Sequence, residues 1–283
     1  MKRILIPKKC QVSVVLGSYN RVEFLKLAID SVRKEILAVS SKIERTLCSK
    51  QKLNPLSAEI IVVDGGSTDG SLEWLLAQKD ILTIVQHNRG VWKGKEIERK
   101  SWGYFMNLGF KCAQGKYICM ISDDCLIIPG AILNGLKLFE QHLDAGEKIG
   151  ALAFYWRDVP VEVDYRVGTI FGEPYVNHGM FLRSALAEVG YCDERSYKFY
   201  LGDTDLGLRM RAAGYRCLAS PDSYVEHYAH ANPEVRESNN SYQTDLKSCV
   251  KIWGDIVNNH DWRWKTFQDT QDTIGIWQNA RIQ

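Results

Sequence analysis

No run of about eighteen uncharged apolar residues occurs in the chain, so the sequence contains no candidate membrane span. The opening stretch, Met1–Lys9, lacks the long apolar core of a signal peptide and reads as a lead-in to the first strand. Lysine and arginine form no dense block and the net charge is only +2, which argues against nucleic acid or a strongly charged membrane as a partner. The eight cysteines are scattered without a Cys-x-x-Cys pair, and several lie inside apolar runs. They read as reduced, buried thiols of a cytoplasmic protein. No Ser-His-Asp or Cys-His arrangement suggests a covalent nucleophile, and no internal repeat or low-complexity tract is present. What remains is a chain of 283 residues, 45% hydrophobic, able to bury a large core as one extended domain or one domain with an appendage.

The chain is organised around Tyr117–Gly130, YICMISDDCLIIPG. Its first apolar run, Tyr117–Ile121, is short and bounded by Gly115-Lys116 and by acids, as in a buried strand. Asp123 and Asp124 then stand side by side at the strand's end, where repulsion raises their pKa values unless a cation lies between them. Oxygen ligands of this kind suit Mg²⁺ or Mn²⁺. The same acids could instead open a turn and cap the helix starting near Ala131.

Upstream, Gln11–Leu16 is a β-branched run that ends in the polar loop Gly17-Ser18-Tyr19-Asn20-Arg21. Val22–Arg33 follows with Phe24, Leu25, Ala28, Ile29 and Val32 at helical spacing. Strand, loop and helix in that order open an α/β sheet. Glu35–Ser57 reads as a helix extension plus a surface insertion. Glu59–Val63 is a second strand running into Asp64-Gly65-Gly66-Ser67-Thr68-Asp69. An acid at a strand tip followed by glycines suits a nucleotide, with Asp64 accepting from base or ribose and Ser67 or Asp69 capping the next helix. Ile81–Val85 is a third strand. The polar loop Gln86–Ser101 carries Lys93, Lys95, Arg99 and Lys100, which could close over phosphates. Helices over Trp102–Ala113 and Ala131–Gln141 and a strand over Gly150–Trp156 complete this half.

The second half changes character. Asp158–Val167 alternates apolar and charged residues, as a half-exposed antiparallel strand does. Asn177–Arg183 is a short strand meeting a helix over Ser184–Val189. Gly202–Arg209 opens a helix that Gly214 ends as a C′ glycine. Asp203 sits at that helix's N-terminus, where the dipole is expected to lower its pKa. Arg216–Ala219 and Tyr224–His227 read as two brief strands. Beyond Ala231 the chain is polar, with a helix near Thr244–Val257 and an aromatic last segment containing Trp262, Trp264, Phe267 and Trp277.

Four separately placed motifs resemble one family. They are the Ser18-Tyr19-Asn20 loop, VVDGGSTDGS with Asp64, Ser122-Asp123-Asp124 set seven residues before Pro129, and Gly202-Asp203-Thr204-Asp205-Leu206-Gly207-Leu208-Arg209. Over about Val12–Tyr228 the chain resembles inverting, GT-A fold glycosyltransferases of the family-2 type. The resemblance implies an α/β fold with a mixed, mostly parallel central sheet flanked by helices and a small antiparallel acceptor-side portion. It implies a GT-A domain over 1–230, with a nucleotide half of about 10–130 and an acceptor half of about 131–230, then a helical, aromatic-rich appendage over 231–283.

Residue by residue, it implies Ser18, Tyr19, Asn20, Arg21, Asp64 and Asp123 at the nucleotide. Asp124 and His227, with His230 close behind, match the ligands of Mn²⁺ or Mg²⁺. Asp203 matches the catalytic base, while Gly179, Asp205 and Arg209 fall on the acceptor or donor-sugar side, Asp205 also capping or bracing its helix. Ser122 departs from the family's first metal-motif acid, and Gly202 from its glutamate. The implied partners are a nucleotide-sugar donor, a UDP-sugar first, and a glycan or lipid-linked acceptor in polysaccharide or glycoconjugate synthesis. A cytoplasmic location follows, with peripheral contact at the inner membrane face and a homodimer left open. Two other classes are nucleotidyl transfer and a non-catalytic sugar-nucleotide or glycan-binding module. The first would favour a Gly-rich, basic loop after the first strand, and Gly17-Ser18-Tyr19-Asn20 is neither. Ser122 and Gly202 keep the second open.

Overall fold

The computed structural model describes residues 10–46, 57–170, 173–228, 237, 239–258 and 263–266. Met1–Lys9, Cys48, His230, Trp262, Phe267 and Trp277 lie outside the described residues.

Strand β1 (Val12–Ser18) lies between β2 (Ala58–Asp64) and β6 (Tyr117–Ser122), with β3 (Ile81–Val85) outside β2, and all four run parallel. Helices cover both faces, which is why β1, β2 and β6 are continuous apolar runs rather than alternating ones. One face receives α1 (Val22–Thr46), α2 (Ser71–Ala77) and α4 (Ala131–Asp144) through Leu25, Ile29, Leu75 and Phe139. The other receives α3 (Trp102–Cys112), α5 (Arg183–Glu188) and α6 (Gly202–Ala212) through Phe110, Leu186, Leu206 and Met210.

Beyond β6 the sheet reverses. β11 (Gly179–Leu182) inserts antiparallel between β6 and β8 (Ile149–Asp158). β12 (Arg216–His227) runs parallel to β8, and its last residues pair antiparallel with β7 (Cys125–Ile127). β9 (Arg166–Ile170), β10 (Glu173–Pro174) and β13 (Arg263–Thr266) extend this edge, while β4 (Val91–Trp92) and β5 (Lys95–Glu96) form a separate hairpin. The result is a mixed α/β sheet, ordered β10-β9-β8-β11-β6-β1-β2-β3 among the described residues. Helix α7 (Tyr242–Asn258) follows, and no helix among the described residues is long and apolar enough to cross a membrane.

Three local expectations are corrected. The alternating stretch after Asp158 is a turn: Glu162 N–H donates to the Asp158 carbonyl (2.7 Å), Asp158 N–H donates to the Glu162 carboxylate (2.9 Å), and Val161 and Val163 are exposed. Pairing resumes only at Arg166. The two brief strands near the second motif are one strand, β12, interrupted by a register shift between Ser220 and Tyr224. Neither Ser67 nor Asp69 occupies the N-cap of α2; Gly70 does, at φ 96°, and the Asp69 carboxylate accepts N–H groups from Val22 (2.8 Å) and Ser71 (3.0 Å). As anticipated, Gly214 (φ 80°) ends α6, donating to the Arg211 carbonyl (2.8 Å) while Tyr215 donates to that of Met210 (2.9 Å). Cys119, Cys125, Cys192, Cys217 and Cys249 are buried free thiols, whereas Cys112 is exposed.

Helix α4 begins without a cap of its own, since Gly130 at its N-cap has no side chain and a left-handed φ of 101°. Glu35 of α1 supplies one from outside. Its buried carboxylate accepts the N–H groups of Gly130 (2.7 Å) and Leu133 (3.2 Å), tying α1 to the segment that follows the central acids. Replacing Glu35 by Ala leaves two helix donors without partners in a dry site. A loss of about 2–3 kcal/mol is expected from urea unfolding; a change below about 0.5 kcal/mol would show that water replaces the carboxylate.

Candidate functional site

The parallel register brings the motif-bearing strand tips into one row: Ser18 pairs with Asp64, and Gly17 with Ser122. The loop after β1 is then folded down onto the row. Asn20, at φ 50°, accepts the Thr68 N–H (2.8 Å) and donates its own N–H to Ser67 Oγ (2.9 Å). Tyr19 N–H reaches the Asp123 carboxylate at 3.3 Å. Arg21 Nη1 donates to Asp123 (2.9 Å) and to Asp124 (2.7 Å) at once. Thus the cation foreseen between the two acids is, in this structure, the guanidinium of Arg21.

A cleft of about 830 Å³, counted out to its mouth, opens in front of this row. Ser18, Tyr19, Arg21, Ser122, Asp123 and Asn177 line it. Arg89, Arg99 and Lys100 give it a basic rim, Arg89 stacking on the Tyr19 ring at 4.8 Å. Arg89 and Arg99 both donate to Asn239 Oδ1, while Lys93 and Lys95 are exposed on or beside the β4–β5 hairpin. Burial holds Arg89 down at about 10, assisted by Arg99.

Behind Asp123 the charges alternate. Asp124 faces His227 Nε2 at 3.5 Å, and His227 Nδ1 meets Asp158 at 2.8 Å. Burial alone would lower the His227 pKa, but its bonds to Asp124 and Asp158 outweigh that and raise it to about 9. Burial would raise Asp124, yet His227 and Arg21 hold it down at about 2. Asp123 goes the other way, to about 6, because burial and the Asp124 charge outweigh Arg21. The two adjacent carboxylates are therefore shifted in opposite directions although both are nearly fully buried.

Asp203 is held by Asn177, whose amide donates to one carboxylate oxygen, and by the Thr204 N–H on the other (2.8 Å). The lowered pKa anticipated from the helix dipole is corrected: Asp203 rises to about 6, because desolvation outweighs the Thr204 and Asn177 bonds. Asn177 both lines the cleft and touches Asp203, so the later acid sits one side chain behind the cleft that Asp123 lines.

Other implied site residues turn inward. The Asp64 carboxylate is fully buried and accepts Gly66 N–H (2.9 Å), Ser67 N–H (2.8 Å) and Ser67 Oγ–H (2.7 Å), bracing its own loop while Gly65 faces the cleft. Asp205 accepts from Arg209 Nε (2.7 Å), Tyr197 OH (3.2 Å) and Trp253 Nε1 (2.9 Å), and Arg209 also donates to the Val189 carbonyl (2.6 Å). Both thus brace α6 against α7 and the segment after α5 rather than forming cleft wall. Gly179, at φ 151°, is packed so closely in the sheet that a Cβ would lie 2.1 Å from the Leu152 carbonyl oxygen. Asn177, His178, Asp158, Cys125 and Arg89 were not anticipated; the only sequence signal was a polar Asn-His pair opening an apolar strand.

The donors present fit a divalent cation. Asp124, His227 and, beside them, His178 and Cys125 bring oxygen, nitrogen and sulfur together, and Asp158 orients the His227 ring as a ligating histidine requires.

The family model for "Glycosyl transferase family 2" matches residues 13–156, slightly more than half of the chain. The chain belongs to glycosyl transferase family 2. That match carries Asp64, Asp123 and Asp124; Asp203 and His227 lie beyond it. Among solved structures, the Staphylococcus aureus TarS 1–349 structure is 15% identical, with a TM-score of 0.56 over 86% of this chain and 65% of that one. The Pyrobaculum calidifontis mannosyltransferase PcManGT, solved with GDP-Man and Mn²⁺, is 14% identical, with a TM-score of 0.55 over 90% of this chain and 66% of that one. TarS 1–349 with UDP-GlcNAc is 17% identical, with a TM-score of 0.54 over 86% and 66%. At such identities the likeness is one of fold, the GT-A fold, and the chain spans about two-thirds of these structures. No curated protein sequence matches it.

The raised His227 pKa has a pH consequence in metal-free protein. Its contribution to stability is fully present below about pH 6.5, shrinks as pH rises, and is gone above about pH 9. Unfolding in EDTA should show a loss on the order of 2–3 kcal/mol across that window, and His227→Ala should flatten it. An unchanged slope in the variant would assign the pH dependence elsewhere.

Proposed function

We propose that the protein is a metal-dependent, inverting glycosyltransferase that moves a sugar from a nucleotide sugar, a UDP-sugar first, to a hydroxyl of a glycan or lipid-linked acceptor in polysaccharide or glycoconjugate synthesis, acting in the cytoplasm. The observation that carries the reading is Asp203, a carboxylate raised to about 6 and held by Asn177, which lines the same cleft as Asp123. Family membership and the nucleotide-sugar complexes of TarS and PcManGT support it.

The chemistry divides between the walls. Ser18, Tyr19 and Asp123, with Arg89 stacked on Tyr19, offer a polar and aromatic lodging for a nucleotide. Asp124 and His227 would hold the cation, Asp158 keeping the imidazole Nδ1 engaged so that Nε2 is presented. A bound divalent cation supplies charge neutralisation for the leaving diphosphate. Arg21 lies against the same acids, and its basic charge can serve the phosphates. Asp203 takes the proton from the attacking acceptor hydroxyl; a carboxylate at about 6 is ionised at neutral pH yet basic enough to share that proton. Asn177 fixes its orientation. For inversion the acceptor hydroxyl attacks from the face away from the diphosphate, which requires Asp203 and the cation to flank the donor sugar from two sides.

Calorimetry with UDP and Mn²⁺, followed by turnover on a panel of nucleotide sugars, tests the reading. Nucleotide binding without turnover on any donor would instead support the binding-module reading, which Ser122 and Gly202 leave open. Asp203→Asn should lower kcat by roughly 10²–10⁴-fold while leaving UDP affinity nearly intact. In the wild type kcat should fall as pH drops below about 6. A variant retaining most of its turnover would remove Asp203 as the base. Asp124→Asn should weaken Mn²⁺-dependent donor binding about tenfold or more; identical titrations with and without the substitution would exclude it as a ligand.

A further inference from the structure

Three side chains beside Asp124 form a group that hard-cation chemistry does not require. The antiparallel register of β7 and β12 sets His227 directly across from Cys125, and the parallel register of β8 and β12 sets His227 beside Asp158. His178 arrives from the segment before β11, anchored where its carbonyl accepts the Phe154 N–H (2.8 Å). Both His178 ring nitrogens lie 3.8 Å from Cys125 Sγ, and one donor atom from each of Cys125, His178 and His227 lies within 4.8 Å of the others. Trp156 closes the group on one side, edge-on to both imidazoles at 5.8 and 5.6 Å.

A buried cysteine and histidine are ordinarily packing residues. His178 argues otherwise. It is only 5% exposed, yet among the described residues its ring nitrogens meet no oxygen or nitrogen partner, only the thiol. A thiol is a weak hydrogen-bond partner, so a buried imidazole that faces only sulfur keeps a nitrogen lone pair free for a stronger acceptor such as a metal ion. Two imidazoles and a thiol are softer donors than the all-oxygen sets that hold Mg²⁺ or Mn²⁺, and they match zinc-class ions. Tetrahedral bonds to zinc would separate sulfur and nitrogen by roughly 3.5 Å, close to the 3.8 Å found here.

We propose that Cys125, His178 and His227 form a binding site for a thiophilic divalent transition metal of the zinc and cobalt class, with Asp124 at its open side. On binding, the Cys125 thiol proton leaves to solvent and the thiolate takes the metal. The site shares His227 and Asp124 with the cation position of the proposed transfer reaction and rests on that reading only for its effect on transfer. There, a zinc-class ion would compete with Mn²⁺.

The test uses the whole, EDTA-stripped protein titrated with Co²⁺ in the absence of nucleotide. One equivalent should bind, giving a thiolate-to-cobalt charge-transfer band in the near ultraviolet and visible bands of four-coordinate intensity, with Zn²⁺ bleaching both. Cys125→Ser, or Cys125→Ala if the first variant melts early, should lose the charge-transfer band; Cys119→Ser should keep it. His178→Ala should weaken Zn²⁺ binding about tenfold or more. Cobalt bound without a thiolate band, a band that survives both Cys125 variants, or no stoichiometric binding overturns the inference. Turnover with Mn²⁺ in a protein lacking the band would sink this site and spare the proposed activity; the band in a protein that turns over no donor would do the reverse.

Discussion

One guanidinium bridging two neighbouring carboxylates is the interaction on which the cleft depends. Asp123 and Asp124 are nearly fully buried at the end of β6, and two unpaired buried charges would be intolerable there. Arg21 reaches them from the loop after β1, more than a hundred residues earlier in the chain, and His227 reaches Asp124 from the end of β12. Burial pushes both acids up, and these two approaches pull Asp124 down to about 2 while Asp123 stays raised at about 6. They also fold the Tyr19–Arg21 loop over the strand tips, which shapes the front of the cleft.

The second half of the chain is held to the first by a similar economy of contacts. Asn177 touches Asp203 and His178 touches Cys125, so two consecutive residues ahead of β11 join the later acid to the strand that follows the central acids. Behind them α7 clamps α6: Trp253 donates to Asp205, and Asp245 accepts the backbone N–H groups of Lys198, Phe199 and Tyr200. Leu201, two residues before Asp203, is held in a strained left-handed conformation at φ 66° and is buried beside Cys249. The position of Asp203 therefore owes as much to α7 as to its own helix.

Much of this was readable from residues. β1, β2, β3 and β6 announce themselves as apolar runs ending in Ser18, Asp64, Val85 and Ser122. Gly214 and the acids at both motifs also stand where their local chemistry puts them. Asp158–Val167 misled because an alternating pattern is also produced by a turn whose exposed valines happen to separate charged residues. Asp203 misled in a different way: a helix N-terminus lowers a carboxylate's pKa only while water remains, and here desolvation is the larger effect. Asp64 and Asp205 carry the right chemistry for ligands but spend it on their own loop and helix.

Periodicity and strand-end position are properties of neighbouring residues, so the sequence by itself determined the α/β order of elements and the acids at their tips. Which carboxylates are raised, which one is lowered, and that Cys125, His178, His227 and Asp158 meet at all were decided only by the tertiary structure. Desolvation and cross-strand register are sums over residues far apart in the chain, and no local pattern contains them.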